Sequence, residues 1–373
     1  MSTQKPDFAL IGHPFDIDHL YRYLTYHKPG LHRPQRELLL KLFEWTPPYA
    51  DQTISVTSSD GRSVQGSFIV CPLLPEMLDK DNHRHFRDLC VGKVIRSLEL
   101  AAEQGALLAG LGGFTSIADG DQGRLVARKV PMISVTSGNT LTAMAAVDGV
   151  LAAAAMLGVD ASGATAAVVG AAGDIGTACC RYLASRVERL VLVSRFAFNQ
   201  NQLADELRQL NHARIVFETD NARAVGQADM VIAAASAVAP IFHPLDFKPG
   251  AVVCDVGYPK NIFLNVDLEK SDIFLFAGGL MQSPSPVVLP YDMGLPDPHS
   301  LYGCWAEAIV LSLAGQPESF SQGRGRIVPE KMDQIWEMAR RHGFERAPFF
   351  FGDKIWQEAD VERVRRKRGE GRE

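Results

Sequence analysis

The strongest constraint in the sequence is a short apolar run that ends in a glycine-rich turn and continues as a helix. Residues 164–170 read ATAAVVG, residues 170–176 read GAAGDIG, and helical periodicity follows to about Arg186. Each glycine has its own use in such a turn. Gly170 permits the tight reversal, Gly173 lets the backbone approach a pyrophosphate, and Gly176 allows the helix to pack closely on a sheet. The helix start offers free N–H groups and a positive dipole end to phosphates. A tight turn with no cofactor is the bland alternative. Further apolar runs follow at 190–194, 214–218, 229–234, 251–255 and 272–276, spaced by helical or turn segments. Strands alternating with helices predict a parallel, doubly wound sheet.

The cofactor-binding residues expected on this sheet are Gly170, Ala171, Ala172, Gly173, Asp174, Ile175 and Gly176. An NAD site usually carries Asp or Glu at the end of the second strand, for the ribose hydroxyls. This chain has Ser194 and Arg195 there. A hydroxyl beside a guanidinium suits a 2′-phosphate, which favours NADPH; an ordinary solvated arginine is the alternative. Ala235 and Ser236, after the fourth strand, are expected at the crevice mouth, unless they only pack tightly. Gly257, Tyr258 and Lys260 follow the fifth strand, where ligand-binding loops of such sheets lie.

At 373 residues the chain has room for about two domains. The expected fold is α/β: a Rossmann-type doubly wound parallel sheet domain, residues 141–280, inserted in a second α/β substrate lobe. That lobe takes residues 1–140 and 281–345, and 346–373 form a C-terminal extension. Within the lobe, residues 8–12 read as a strand, 54–57 and 66–71 as a hairpin, and 37–43, 85–105, 304–314 and 329–341 as helices. The Ala-rich run 141–159 carries Asp148, so a buried helix is expected there and no membrane span. The tail 361–373 (VERVRRKRGEGRE) is dense in both charges. It reads as a frayed, solvated end without an apolar face, or as a basic docking strip for an acidic partner or a peripheral membrane contact.

A balance of 38 basic against 43 acidic residues argues against a nucleic-acid binder. Six cysteines lie scattered without a C-x-x-C pair. With no signal peptide in view, they predict a reducing cytoplasm, no disulfide framework and no structural metal. His83 and His85 have only the spacing of a metal pair and read as solvated. Cys71, Cys90, Cys179, Cys180 and Cys254 fall in strands or helices as packing residues. Cys304 follows Gly303 and opens a helix, where the dipole is expected to favour the reactive thiolate. The Ser137-Gly138-Asn139-Thr140 string precedes the Ala-rich helix and offers caps or polar site groups.

Several longer strings carry a resemblance. They are FALIGH (8–13), LPEML (74–78), LGGFTSI (111–117), SGNTLTA (137–143), GAAGDIG (170–176), GYPKN (257–261), CWAEAIVL (304–311), FSQGR (320–324) and HGF (342–344). In this order and spacing the chain resembles the cyanobacterial long-chain fatty acyl-[acyl carrier protein] reductases, which form fatty aldehyde for alkane biosynthesis. The resemblance implies that Cys304 takes the acyl group from acyl carrier protein as an enzyme thioester. It also implies that NADPH reduces that thioester to the aldehyde. Ser116, Asn139, Thr140, Tyr258 and Lys260 lie in matched strings and are the implied donors to the developing oxyanion. An aldehyde-deformylating oxygenase is the implied consumer of the product. Ala172 stands where the family usually has Thr, Val256 where it has Gly, and the proline-rich 282–300 matches poorly. Two other functions stay open. One is a shikimate-dehydrogenase-like NADP-dependent enzyme without a covalent step. The other is a non-catalytic NADP- or carrier-protein-binding module.

Overall fold

The computed structural model describes residues 5–78, 84–194, 200–210, 213–237, 239–263, 267–268, 271–290 and 292–370. Their chain contacts divide into two compact units. The first contains 1–138, 281–324 and 337–345; the second contains 139–280, 325–336 and 346–373.

In the first unit the apolar string FALIG becomes β1 (Phe8–Gly12), buried at every position. A continuous apolar run of this kind suits a strand covered on both faces. Helices α1 (Ile17–His27) and α2 (Arg36–Trp45) follow, and Asp16 caps α1 by accepting the His19 N–H at 2.7 Å. Strands β2 (Tyr49–Thr57) and β3 (Ser63–Val70) form the expected antiparallel hairpin. Next come α3 (Arg84–Gln104), β4 (Leu108–Leu111), α4 (Arg124–Lys129) and β5 (Ser134–Thr136). The sheet order is β2-β3-β1-β4-β5, and every pair except β2–β3 is parallel.

The second unit opens with α5 (Asn139–Met156), whose side chains are apolar around most of its circumference. Among the described residues it is the one helix long and apolar enough to cross a membrane, and most of it is buried. It packs on the sheet and on α6. The elements are β6 (Thr165–Val169), α6 (Asp174–Leu183), β7 (Arg189–Val193), α7 (Gln200–Leu210), β8 (Arg214–Glu218), α8 (Asn221–Val225), β9 (Met230–Ala233), β10 (Val252–Asp255) and β11 (Phe274–Ala277). All six strands are parallel, in the order β11-β10-β9-β6-β7-β8. Counted by appearance and read from the β8 edge this is 3-2-1-4-5-6, the order of a Rossmann sheet. The order reverses between β6 and β9. Ligands of such sheets lie beyond the carboxyl ends at that switch point.

The chain then forms α9 (Gly303–Leu313), which packs on β1 and β4 in the first unit. It continues through α10 (Pro329–Arg341) to α11 (Glu358–Glu370). The described part of the tail is therefore a helix rather than a frayed end. Val361 and Val364 are buried in the second unit's core with Trp356. Arg368 pairs with Asp229 at 3.0 Å, with both side chains about one-tenth exposed. Two small aliphatic residues three apart make enough of an apolar face when arginine stems cover its flanks. Val364→Asp is expected to lower stability by about 3 kcal/mol or more, because it loses an apolar contact and buries a charge. The exposed neighbour change Arg366→Ala should be nearly neutral. Calorimetry of the two variants checks the contrast.

Candidate active site

Cys304 is the second residue of α9, after Gly303. All six cysteines are free thiols; five are buried, and Cys304 alone keeps partial exposure. Its backbone lies directly against Gly138. A Cβ at residue 138 would come within 2.2 Å of both Cα and the carbonyl oxygen of Cys304, and the φ there is +67°. Only glycine fits that position. Burial pushes the Cys304 thiol up to about 11; N–H groups of Gly113, Trp305 and Cys304 itself pull it down, and the Glu307 carboxylate pushes it up. The resting group is thus a thiol. The N–H groups at the helix start pull in the expected direction, toward thiolate, and burial opposes them.

The walls of this centre are held by buried polar residues. His13 is 4% exposed. Its Nε2 accepts the Phe114 N–H at 2.8 Å, so the proton sits on Nδ1 and is donated to the Pro14 carbonyl at 2.7 Å. Burial lowers the His13 pKa to about 4, which keeps the ring neutral and Nε2 an acceptor. Ser116, an expected oxyanion donor, donates its hydroxyl to the Gly113 carbonyl at 2.8 Å and so shapes the turn that carries the Gly113 N–H. Thr136 donates to the fully buried Glu307, and its oxygen accepts N–H groups from Ser321 at 3.0 Å and Gly138 at 3.4 Å. This network fixes Gly138 against Cys304. Sequence patterns do not mark His13, Thr136 and Glu307 as site residues. Their one signal is a polar residue closing or interrupting an apolar run (FALIGH, ISVT, WAEAIVL).

In the second unit the glycine turn sits at the switch point. Gly170 has φ +81°, and a Cβ there would lie 2.7 Å from the Ala234 carbonyl oxygen. A Cβ at Gly176 would lie 2.2 Å from the Gly170 carbonyl oxygen. Turn, helix start and the segment leaving β9 therefore meet where side chains cannot fit. With Gly173 at the N-cap of α6, this cradle fits a dinucleotide pyrophosphate. Ala171 is buried, while Ala172 and Ile175 are half-buried. The Asp174 carboxylate accepts the Asn139 amide at 2.9 Å and the Gly325 N–H at 2.8 Å, so it is committed to protein groups. Asn139 correspondingly spends a donor on Asp174, and Thr140 is fully buried in α5. Ser194 directly follows β7 and is half-buried; Arg195 lies outside the described residues. Ala235 is half-buried and Ser236 exposed.

The loop after β10 is tied to a buried carboxylate. Asp255 accepts N–H groups from Gly257 and Ile262, each at 2.9 Å. Burial pushes Asp255 up to about 6, against the pull of the Lys260 charge and the loop N–H groups. The Lys260 ammonium donates to the Asp255 carbonyl at 3.0 Å and stands 3.6 Å over the Tyr258 ring. Among the described residues no group of three or more His, Cys, Asp or Glu is arranged to hold a metal.

A parallel sheet of this order with a glycine cradle at its switch point defines a Rossmann-type dinucleotide-binding unit. The family model "Shikimate / quinate 5-dehydrogenase" matches residues 152–276, within that unit. Long-chain acyl-[acyl-carrier-protein] reductase of Synechococcus elongatus is 33% identical over 356 residues, covering 91% of this chain and 98% of that protein. The chain belongs to this reductase family and is an oxidoreductase. Aminotransferase PigE of a Serratia species is 29% identical over 362 residues, covering 93% of this chain but 40% of PigE. The L-tryptophan dehydrogenase of Nostoc punctiforme is a distant structural likeness, with TM-score 0.28, 15% identity, and coverage of 62% of this chain and 57% of that one.

Proposed function

We propose that the protein reduces a long-chain fatty acyl thioester, delivered by acyl carrier protein, to the free aldehyde through a thioester on Cys304, with NADPH as reductant. The observation that carries this reading is the setting of Cys304. It is the partly exposed cysteine among buried ones, with backbone N–H groups around its sulfur. The sulfur attacks the acyl carbon, and its proton leaves with the carrier's thiol. One thioester bond is exchanged for another, so no activating nucleotide is consumed. When bound, NADPH supplies a hydride to an electrophilic carbon, for which the Cys304 thioester is the acceptor. The tetrahedral adduct then expels the Cys304 sulfur as thiolate, aldehyde leaves, and one proton restores the thiol. The N–H groups of Gly113, Trp305 and Cys304 serve the sulfur when it carries charge.

The remaining roles belong to the same reading. Residues 170–176, Ala235, Ser236 and Gly257 line the dinucleotide site, and Ser194 with Arg195 read the 2′-phosphate. Asn139, Thr140, Tyr258 and Lys260 are the donors for the acyl oxygen, and Ser116 acts by holding the Gly113 turn. Six free thiols suit a cytoplasmic enzyme. An aldehyde-deformylating oxygenase is the proposed consumer of the aldehyde. Mixing the protein with palmitoyl-acyl carrier protein without NADPH should give an acyl adduct on Cys304 by intact mass. Adding NADPH should discharge it as aldehyde. Absence of the adduct, or its persistence in Cys304→Ser, would refute the covalent route.

A further inference from the structure

We propose that Asn261 is a positioning residue for the dinucleotide, pinning the segment that leaves β9 against the glycine turn. Asn261 is fully buried. Its Oδ1 accepts the Ala235 N–H and its Nδ2 donates to the Ala235 carbonyl, both at 3.0 Å. One side-chain amide thus satisfies both polar groups of a single residue's backbone. Its own carbonyl accepts N–H groups from Ile241 at 2.8 Å and Phe242 at 3.1 Å. The chain leaving β9 is therefore tied to residue 261 at two separate points.

The clamp is itself anchored. Asp255 holds the N–H groups of Gly257 and Ile262 on either side of Asn261. A Cβ at Gly257 would come within 2.5 Å of the Asn261 amide nitrogen, so glycine there leaves the amide its place. On its far side, the pinned segment meets the cofactor turn. The Ala234 carbonyl and the Ala235 Cα are the atoms a Cβ at Gly170 would strike, at 2.7 and 3.0 Å. A connected path runs from the Asp255 carboxylate through the Asn261 amide and Ala235 to Gly170. Displacing Ala235 alters the wall beside the phosphate turn.

The chemistry of the amide is specific. Asparagine carries a donor and an acceptor in one plane, matching the two groups of Ala235. In Asn261→Asp the carboxylate still accepts the Ala235 N–H but sets an acceptor against the Ala235 carbonyl. That leaves a buried carbonyl unpaired beside a charge.

This inference rests on the reading that the second unit binds NADPH. The test measures NADPH affinity by fluorescence in wild type and Asn261→Asp, with acyl transfer to Cys304 measured separately without NADPH. The variant is expected to bind NADPH about ten-fold more weakly or worse, with its thermal midpoint lowered by the unpaired carbonyl but above the assay temperature, and with acyl transfer still proceeding. Equal affinity in the two proteins would overturn the inference. Wild-type hydrogen exchange gives a check that needs no folded variant. Peptides covering residues 170–176 and 233–236 should slow together when NADPH is added. Protection of the turn without the segment after β9 would also overturn the clamp. A wild-type chain that binds no NADPH would refute the cofactor reading itself, and so is distinguishable from failure of the clamp.

Discussion

Gly138→Ala is expected to reduce acyl transfer to Cys304 at least a hundred-fold, the scale of loss that about 1 Å of misplacement causes at a reacting centre. Two costs combine at this position. The left-handed φ of +67° disfavours any side chain, by roughly 1–2 kcal/mol. The new Cβ would also fall within 2.2 Å of the Cys304 Cα and carbonyl oxygen, and 2.5 Å of its carbonyl carbon. These are backbone atoms at the start of a packed helix, so no rotamer change relieves the clash. Relief requires the Ser137–Asn139 turn or the first turn of α9 to move, and either displaces the sulfur. Gly30→Ala supplies the control, because Gly30 has φ +82° with open space around it. Intact-mass acylation of both variants separates strain from displacement. If Gly138→Ala acylated like Gly30→Ala, the close approach would have no role in placing the nucleophile.

The scaffold was more legible in the sequence than the settings of its polar groups. Apart from the half-exposed edge strand β8, the second unit's strands are buried, and all appear as short apolar runs bounded by Gly, Asp or Arg. Residues 214–218 and 190–194 lie within one residue of β8 and β7. The glycine turn was legible because each glycine answers a steric demand. The tail was not. Val361 and Val364 are two apolar residues in a run dominated by Arg, Lys and Glu, and only the core they reach makes them a face. Polar positioning residues were hidden for a related reason. His13, Glu307 and Asn261 have roles set by partners 101, 171 and 26 positions away in the chain. No local periodicity encodes such pairings. At Cys304 the helix start can be read from sequence, whereas the desolvation opposing its pull cannot.

That resting thiol should be visible in its pH dependence. With the Cys304 group pushed up to about 11, only about one molecule in ten thousand carries thiolate at pH 7. Iodoacetamide alkylation of Cys304, followed by peptide mass, should therefore accelerate about ten-fold per pH unit above neutrality and level off near the titration point. Glu307→Gln is expected to lower that point and raise alkylation at pH 8. It removes the negative charge that disfavours thiolate, while its amide oxygen can still accept the Thr136 hydroxyl. Slower alkylation in Glu307→Gln would mean that the carboxylate supports the reactive form instead. The same shift acts on folding with a defined sign. A thiol raised from 9.0 to about 11 contributes stability that is complete below pH 9 and is lost as pH rises toward 11. Cys71, pushed up to about 11, and Cys90, pushed up to about 12, act in the same direction by burial. Cys304→Ser should therefore flatten the alkaline fall in stability only in part. It should, however, remove alkylation at that site, because the reactivity belongs to one thiol and the alkaline sensitivity is shared with buried ones.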